Sequence, residues 1–319
     1  MQFISRAYNS FELDSTGAVV IKKSKEPRLL DEISFYENLP KSLSVYFPRV
    51  FFSGTVDSTH EVGMEHYAYD NLGNLMINKK FHKETWSKIF NFIFKFINEA
   101  KNHTLDADGK VECASMFIDK TEKEYKNLVD NFRFFHHLEQ NVRIELNGQS
   151  LRTFNIIWDD IKNHINIHYL TQTLNYIHGD LCFSNILYGI NPITGNVVLK
   201  FIDPRGSFGN VKYYGDSYYD LAKLLHSCEG GYEYFITDNF EVSSTNNKFT
   251  LTFSNGNKSQ VSKVYNSVID DYGFDKTKIK ILQGTIFIGM CARHYDSLAR
   301  QKAMYLTGLK LLNEVYETI

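Results

Sequence analysis

Residues 176–209 read YIHGDLCFSNILYGINPITGNVVLKFIDPRGSFG. Within them His178-Gly179-Asp180 is followed by Asn185, and then by the apolar run Val197-Val198-Leu199-Lys200-Phe201-Ile202, which ends at Asp203. Ile186-Leu187-Tyr188 and the run over 197–202 have the β-branched and aromatic character of strands. Taken singly, Asp180 would serve as a cap and Asn185 would satisfy loop backbone, as those residues do in turns. Taken in this order, a loop carboxylate, a nearby amide and a carboxylate closing a strand can orient a hydroxyl and hold a divalent metal against a nucleotide's phosphates.

Toward the N-terminus the pattern is that of a small antiparallel sheet with one helix. Phe11-Glu12-Leu13 and Ala18-Val19-Val20-Ile21-Lys22 read as strands joined by the turn Asp14-Ser15-Thr16-Gly17. Leu30, Ile33 and Leu39, with Phe35 and Tyr36, have helical spacing that Pro40 closes. Residues 49–54 and 61–65 read as two further strands. The segment Asp70-Asn71-Leu72-Gly73-Asn74 is polar and glycine-containing, and a connector is expected over 69–74. This gives an N-terminal lobe over 1–68 and a mainly helical lobe over 75–319.

In the second lobe Trp86, Ile89, Phe90, Ile93 and Ile97 share one helix face, while Phe92, Phe94 and Phe96 load the others. A helix apolar nearly all round belongs in the middle of a lobe. Further helices are expected near 116–129, 154–170, 219–227, 278–290 and 297–316. Phe240-Glu241-Val242 and residues 249–253 form a predicted hairpin inserted among them. The fold class is therefore α+β and bilobal, with a small-molecule cleft expected between the lobes.

The 319 residues are 43% hydrophobic and 15% aromatic, enough for a large core. A net charge of -2 and a pI near 6.6 give no footprint for nucleic acid or an anionic membrane. Basic residues are mixed with acidic ones, as in KKSKE (22–26) and DKTEKEYK (119–126), and such runs read as solvated faces. There is no leader-like start, and the apolar cluster at 89–97 is too short and too interrupted to span a bilayer. Cys113, Cys182, Cys228 and Cys291 lie far apart, as expected of reduced thiols in a cytoplasmic protein.

The run His178-Gly179-Asp180-Leu181-Cys182-Phe183-Ser184-Asn185 resembles the HGDxxxxN signature of the aminoglycoside phosphotransferase and choline kinase superfamily. Ile202-Asp203 resembles its metal-binding Asp motif, the counterpart of the protein-kinase Asp-Phe-Gly. Gly215-Asp216-Ser217-Tyr218-Tyr219-Asp220-Leu221-Ala222 is similar to the GDxxxDLA run that follows there. Phe35-Tyr36, Leu39-Pro40 and Phe47-Pro48 are similar to a run in phosphotransferase-like proteins of bacterial surface-polysaccharide clusters. The resemblance implies a protein-kinase-like fold using ATP and Mg²⁺ and a small-molecule hydroxyl acceptor such as a sugar, polyol or amino alcohol. It implies Asp180 as catalytic base, Asn185 and Asp203 as catalytic metal ligands, and Asp220 as a support of the catalytic loop.

Val19-Val20-Ile21-Lys22 is similar to the kinase V-A-I-K strand whose lysine holds nucleotide phosphates. Lys23 and Lys25 compete with Lys22 for that role, and Glu32 or Glu37 would be its helix partner. Residues 5–10, Ser-Arg-Ala-Tyr-Asn-Ser, would supply the phosphate-covering turn. Met64, Glu65, His66 and Tyr67 occupy the place where the family binds the adenine edge. Pro204-Arg205-Gly206 stands where a protein kinase has Phe-Gly. Arg205 would stabilise transferring charge or bind an anionic acceptor, or else pair with Asp216 or Asp220. Tyr213, Tyr214, Arg293 and His294 are candidates for the acceptor pocket. The short interval from Asp203 to Gly215-Asp216, with no Ala-Pro-Glu following, speaks against a protein kinase. A catalytically silent nucleotide-binding scaffold is the alternative in another class.

Overall fold

A computed structural model describes residues 9–255 and 257–319. The β-branched run Val19–Ser24 (β2) pairs with Asn9–Leu13 (β1) on one side and Thr59–Glu65 (β4) on the other, and Val50–Val56 (β3) closes the antiparallel order β1-β2-β4-β3. The β1–β2 turn is held by Asp14, whose carboxylate accepts from the Val19 N–H at 2.9 Å and the Thr16 hydroxyl at 2.6 Å. Gly17 supplies a φ of 71° in that turn, which side chains disfavour. Arg28–Glu37 (α1) crosses the sheet, burying Leu29 and Ile33 against Val62 and Met64.

The second lobe is joined to this sheet by aromatic packing as well as by the chain. Phe35 of α1 and Phe47, after the 3-10 turn Lys41–Tyr46, pack with Tyr176, Phe96 and Phe201. Asp70–Asn71 (β5) pairs with Ile186–Ile190 (β10), which pairs with Val197–Phe201 (β11). The expected connector at 69–74 is therefore more ordered than its composition implies. Asn71 accepts from the Asn74 N–H at 2.9 Å and caps Leu72–Asn78 (α2), so its turn chemistry serves a helix start. Lys83–Ala100 (α3) is the aromatic helix read from sequence, with Trp86, Phe90, Phe94 and Phe96 all buried.

Thr104–Asp106 (β6), Thr173–Tyr176 (β9) and Tyr214–Gly215 (β14) form a sheet in the order β14-β9-β6. Gly109–Ala114 (α4) runs through a π turn into Lys120–Asn131 (α5), followed by Arg133–Leu138 (α6). The predicted hairpin is present as Phe240–Thr245 (β15) and Lys248–Phe253 (β16), but it is not isolated. It adds in parallel to Arg143–Leu146 (β7), itself paired with Gln149–Arg152 (β8). Ser207–Phe208 (β12) and Val211–Lys212 (β13) make a short ribbon after Asp203.

Phe154–His168 (α7), Ser217–Cys228 (α8), Lys276–Ile288 (α11) and Leu298–Tyr316 (α12) match expected helices. Tyr232–Ile236 (α9) and Asn257–Asp271 (α10) do not. In α10 Val261, Val264, Tyr265, Val268 and Ile269 are buried at helical spacing, diluted in sequence by Ser, Asn and Lys. Among the described residues no helix is long and apolar enough to cross a membrane. All four cysteines are buried and unpaired.

Candidate active site

β9 delivers His178-Gly179-Asp180 to the edge of the cleft, and α8 holds it there. The two oxygens of the buried Asp220 carboxylate accept the His178 and Gly179 backbone N–H groups, each at 2.8 Å. Gly179 has φ 78°, and a Cβ there would stand 2.9 Å from the Arg205 side chain, so only glycine suits the position. His178 Nε2 donates to the Ile202 carbonyl at 3.0 Å while Nδ1 accepts the Asp180 N–H at 3.2 Å. Burial pushes its pKa down to about 4, so the ring is neutral and ties the 178–180 loop to the strand that ends at Asp203. Arg205 N–H closes the link by donating to the His178 carbonyl at 2.9 Å.

Asn185 follows in a 3-10 turn, and its Nδ2 donates to the Asp180 carbonyl at 2.9 Å. Asp203 sits at φ 56°, a left-handed conformation that is strained for a side chain with a Cβ, immediately after β11. Its carboxylate is half exposed and lies 2.7 Å from Lys22 Nζ. Lys22 is buried and also meets Glu32 of α1, at 2.5 Å. Burial disfavours the ammonium, but Glu32 and Asp203 outweigh it and hold Lys22 charged. Lys23 instead pairs with Glu12 at 2.8 Å, Lys25 is exposed, and Glu37 accepts from Ser53.

Lys22, Glu32, Asp180 and Asp203 line one cleft between sheet and helical lobe, bounded also by Arg28 and Pro204, with about 460 Å³ of space open to solvent. The fit to Mg²⁺ on a polyphosphate is chemical. A half-exposed carboxylate and a neighbouring amide are hard oxygen donors, leaving the remaining positions to phosphate and water. Arg28 was not singled out from sequence; it sits at the first position of α1 and lines the same cleft as Asp180 and Asp203.

Met64 is buried in β4, which ends at Glu65 opposite Val19, and His66 and Tyr67 leave the sheet. The His66 N–H donates to the Ala18 carbonyl at 2.8 Å, and Tyr67 donates to Glu65 at 2.8 Å. The proposed phosphate-covering turn at 5–10 lies outside the described residues over 5–8, and Asn9 and Ser10 belong to β1.

The acceptor candidates separate. Tyr213, at φ 64°, bonds through its hydroxyl to Ser34 of α1 and accepts from Asn38 at 3.2 Å, clasping the lobes. Tyr214 packs edge-on to Tyr176 within the β14-β9 pair. Arg293 pairs with Glu124 at 2.6 Å, and His294 lies near the Tyr232 ring. Arg205 meets neither expected carboxylate among the described residues. Asp216 caps α8 and pairs with Lys278 at 2.6 Å, while Asp220 is engaged with backbone.

Two lysines escaped the sequence reading. Lys223 of α8, three residues beyond Asp220, lies 2.7 Å from Asp180 Oδ1. Its position one turn after Tyr219, on the same face, was the available signal. Lys120 belongs to a run read as a solvated face, yet it turns inward to Tyr219, with Nζ 3.5 Å from the hydroxyl. Burial opposes the Asp180 carboxylate, but Lys223 outweighs that and holds its pKa well below the ordinary range.

No family model matches the chain, and no curated protein matches it. Among solved structures, the chain is similar to a GDP complex of a mutant aminoglycoside 2'-phosphotransferase, at 15% identity and TM-score 0.55, over 98% of this chain and 90% of that one. It is also similar to a thermostable mutant of aminoglycoside phosphotransferase APH(4)-Ia in a ternary complex with ADP and hygromycin B. There the identity is 9% and the TM-score 0.56, over 100% of this chain and 93% of that one. A ternary complex of the latter enzyme with AMP-PNP and hygromycin B aligns at 8% identity and TM-score 0.55, over 99% and 96% of the two chains. The chain has the bilobal, kinase-like α+β fold of the aminoglycoside phosphotransferases.

Proposed function

We propose that the protein is an ATP- and Mg²⁺-dependent phosphotransferase that moves the γ-phosphate to a hydroxyl of a small molecule. The observation that carries this is the Glu32–Lys22–Asp203 chain facing Asp180 across one cleft. Glu32 orients Lys22, which binds nucleotide phosphate. Asp203 and Asn185 would hold Mg²⁺, which neutralises phosphate charge when bound. Asp180 orients the acceptor hydroxyl and takes its proton. A carboxylate of such low basicity takes the proton late, once the oxygen is bonding to phosphorus and its O–H has become acidic, which suits a loose transition state.

In this reading residues 1–68 form the nucleotide lobe, 69–74 the link and 75–319 the lobe with catalytic loop and acceptor pocket. Met64, Glu65, His66 and Tyr67 border the adenine. The solved neighbours include complexes with hygromycin B and AMP-PNP or ADP, which supports a small acceptor beside a nucleotide. Work in the cytoplasm, where ATP is available, and a role in surface-polysaccharide synthesis belong to the same proposal. The test is release of ADP from ATP and Mg²⁺ across a panel of sugars, polyols and amino alcohols. Nucleotide binding without turnover on any acceptor would replace the enzyme by a silent scaffold.

A further inference from the structure

Lys120 of α5 has its Nζ 3.5 Å from the Tyr219 hydroxyl on α8, Arg205, two residues after Asp203, packs over Gly179 with its charge reaching that hydroxyl, and Lys223 stands one turn further along α8. Of the cations here, Lys223 is matched by Asp180 and Arg293 by Glu124. Lys120 and Arg205 have no carboxylate partner among the ion pairs of the described residues, and Arg205 Nε is buried without a hydrogen-bond partner. Lys120 is disfavoured by burial and by the charges of Arg205, Lys223 and Arg293, with Tyr219 acting the other way. Burial alone would raise the Tyr219 pKa, yet Lys120, Arg205 and Lys223 bring it down to about 8. The phenol oxygen accepts from Lys120, and in its protonated form it has its own proton to donate. Two unmatched cations held together in a partly desolvated site are costly unless an anion arrives.

We propose that the acceptor carries an anionic oxygen group, a phosphate ester or carboxylate, which Lys120, Arg205 and the Tyr219 hydroxyl bind while its reactive hydroxyl lies against Asp180. This rests on the phosphotransferase reading and names its substrate class. Residues one helical turn apart have Cβ atoms about 5–6 Å from each other, so Tyr219 and Lys223 set the anion a few bonds from the hydroxyl that reacts. Lys120 and Arg205 remain partly exposed, so an anion can reach them from solvent.

The test has a turnover arm and a binding arm. Matched acceptors (a sugar, its phosphate ester, its acid and its amino derivative) are compared by kcat/KM with ATP and Mg²⁺. The phosphate ester or the acid should exceed the neutral and cationic members by tenfold or more, and the better of the two identifies the group. Lys120→Met and Arg205→Met should each raise the KM for that acceptor about tenfold with the KM for ATP within about twofold, and Lys120→Arg should recover most of the loss. Equal or better turnover of neutral or cationic acceptors overturns the inference while leaving the phosphotransferase reading intact. If no acceptor reacts, binding of inorganic phosphate to protein saturated with ADP and Mg²⁺ decides, by calorimetry. Binding lost in Lys120→Met but kept in Lys22→Met supports the anion site even if phosphoryl transfer fails. No binding, or binding indifferent to Lys120→Met, overturns it.

Discussion

Lys223 Nζ and Asp180 Oδ1 are 2.7 Å apart, in a pair whose side chains are both largely withdrawn from solvent. The pair fixes the position of the Asp180 carboxylate and lowers its affinity for a proton. Lys223→Met should reduce kcat by about 10- to 100-fold and move the acidic limb of the kcat/KM profile upward, since burial alone raises the Asp180 pKa. Because the folded-state pKa is depressed, this pair stabilises the fold above the ordinary carboxylate pKa and its contribution is lost as pH falls toward the folded value. A pH–rate profile unchanged from the parent would remove Lys223 from this role.

Asp180→Asn keeps the shape of the loop but cannot accept a proton. We expect kcat to fall on the order of 10²–10⁴-fold with little change in KM. Asp203→Ala should abolish Mg²⁺-dependent turnover. Steady-state kinetics at saturating metal check both, and parental rates in either variant contradict the assigned role.

Glu32 and Lys22 are each almost fully buried. Removing Glu32 leaves buried Lys22 with Asp203 as its remaining carboxylate, so Glu32→Ala should destabilise the protein by about 1–3 kcal/mol and raise the KM for ATP. Urea unfolding and nucleotide titration report the two effects separately.

Asp220 uses both carboxylate oxygens on the His178 and Gly179 backbone N–H groups. Asp220→Asn presents an NH₂ to one of those donors, an arrangement with no hydrogen bond to make. The expected result is a drop in kcat of tenfold or more with near-parental KM for ATP. The experiment is a full kinetic analysis of a variant verified to be folded.

His178 has a pKa lowered by burial to about 4, against about 6.5 when unfolded. The folded state therefore prefers the neutral ring. Its contribution is fully present above pH ~6.5 and falls away as pH drops toward 4, by about 3 kcal/mol. Stability measured against pH should lose this step in His178→Gln, after allowing for the lost hydrogen bonds.

Much of this architecture is written locally. The β-branched run before Lys22, the turn at Asp14–Gly17 and the apolar spacing of Trp86, Ile89, Phe90, Ile93 and Ile97 determine their elements through backbone preference and periodicity, which act over a few residues. The order HGD, Asn185 and Asp203 could be read as one candidate stretch because those residues sit on one short loop–strand–strand unit. Charge partners across the cleft could not be read that way. Whether Lys22, Lys23 or Lys25 meets Glu32 depends on which face of β2 turns toward α1, and Lys120 and Lys223 approach Tyr219 and Asp180 from separate helices. Electrostatic energies follow distance in space and burial, and both arise only once lobes and helices have packed.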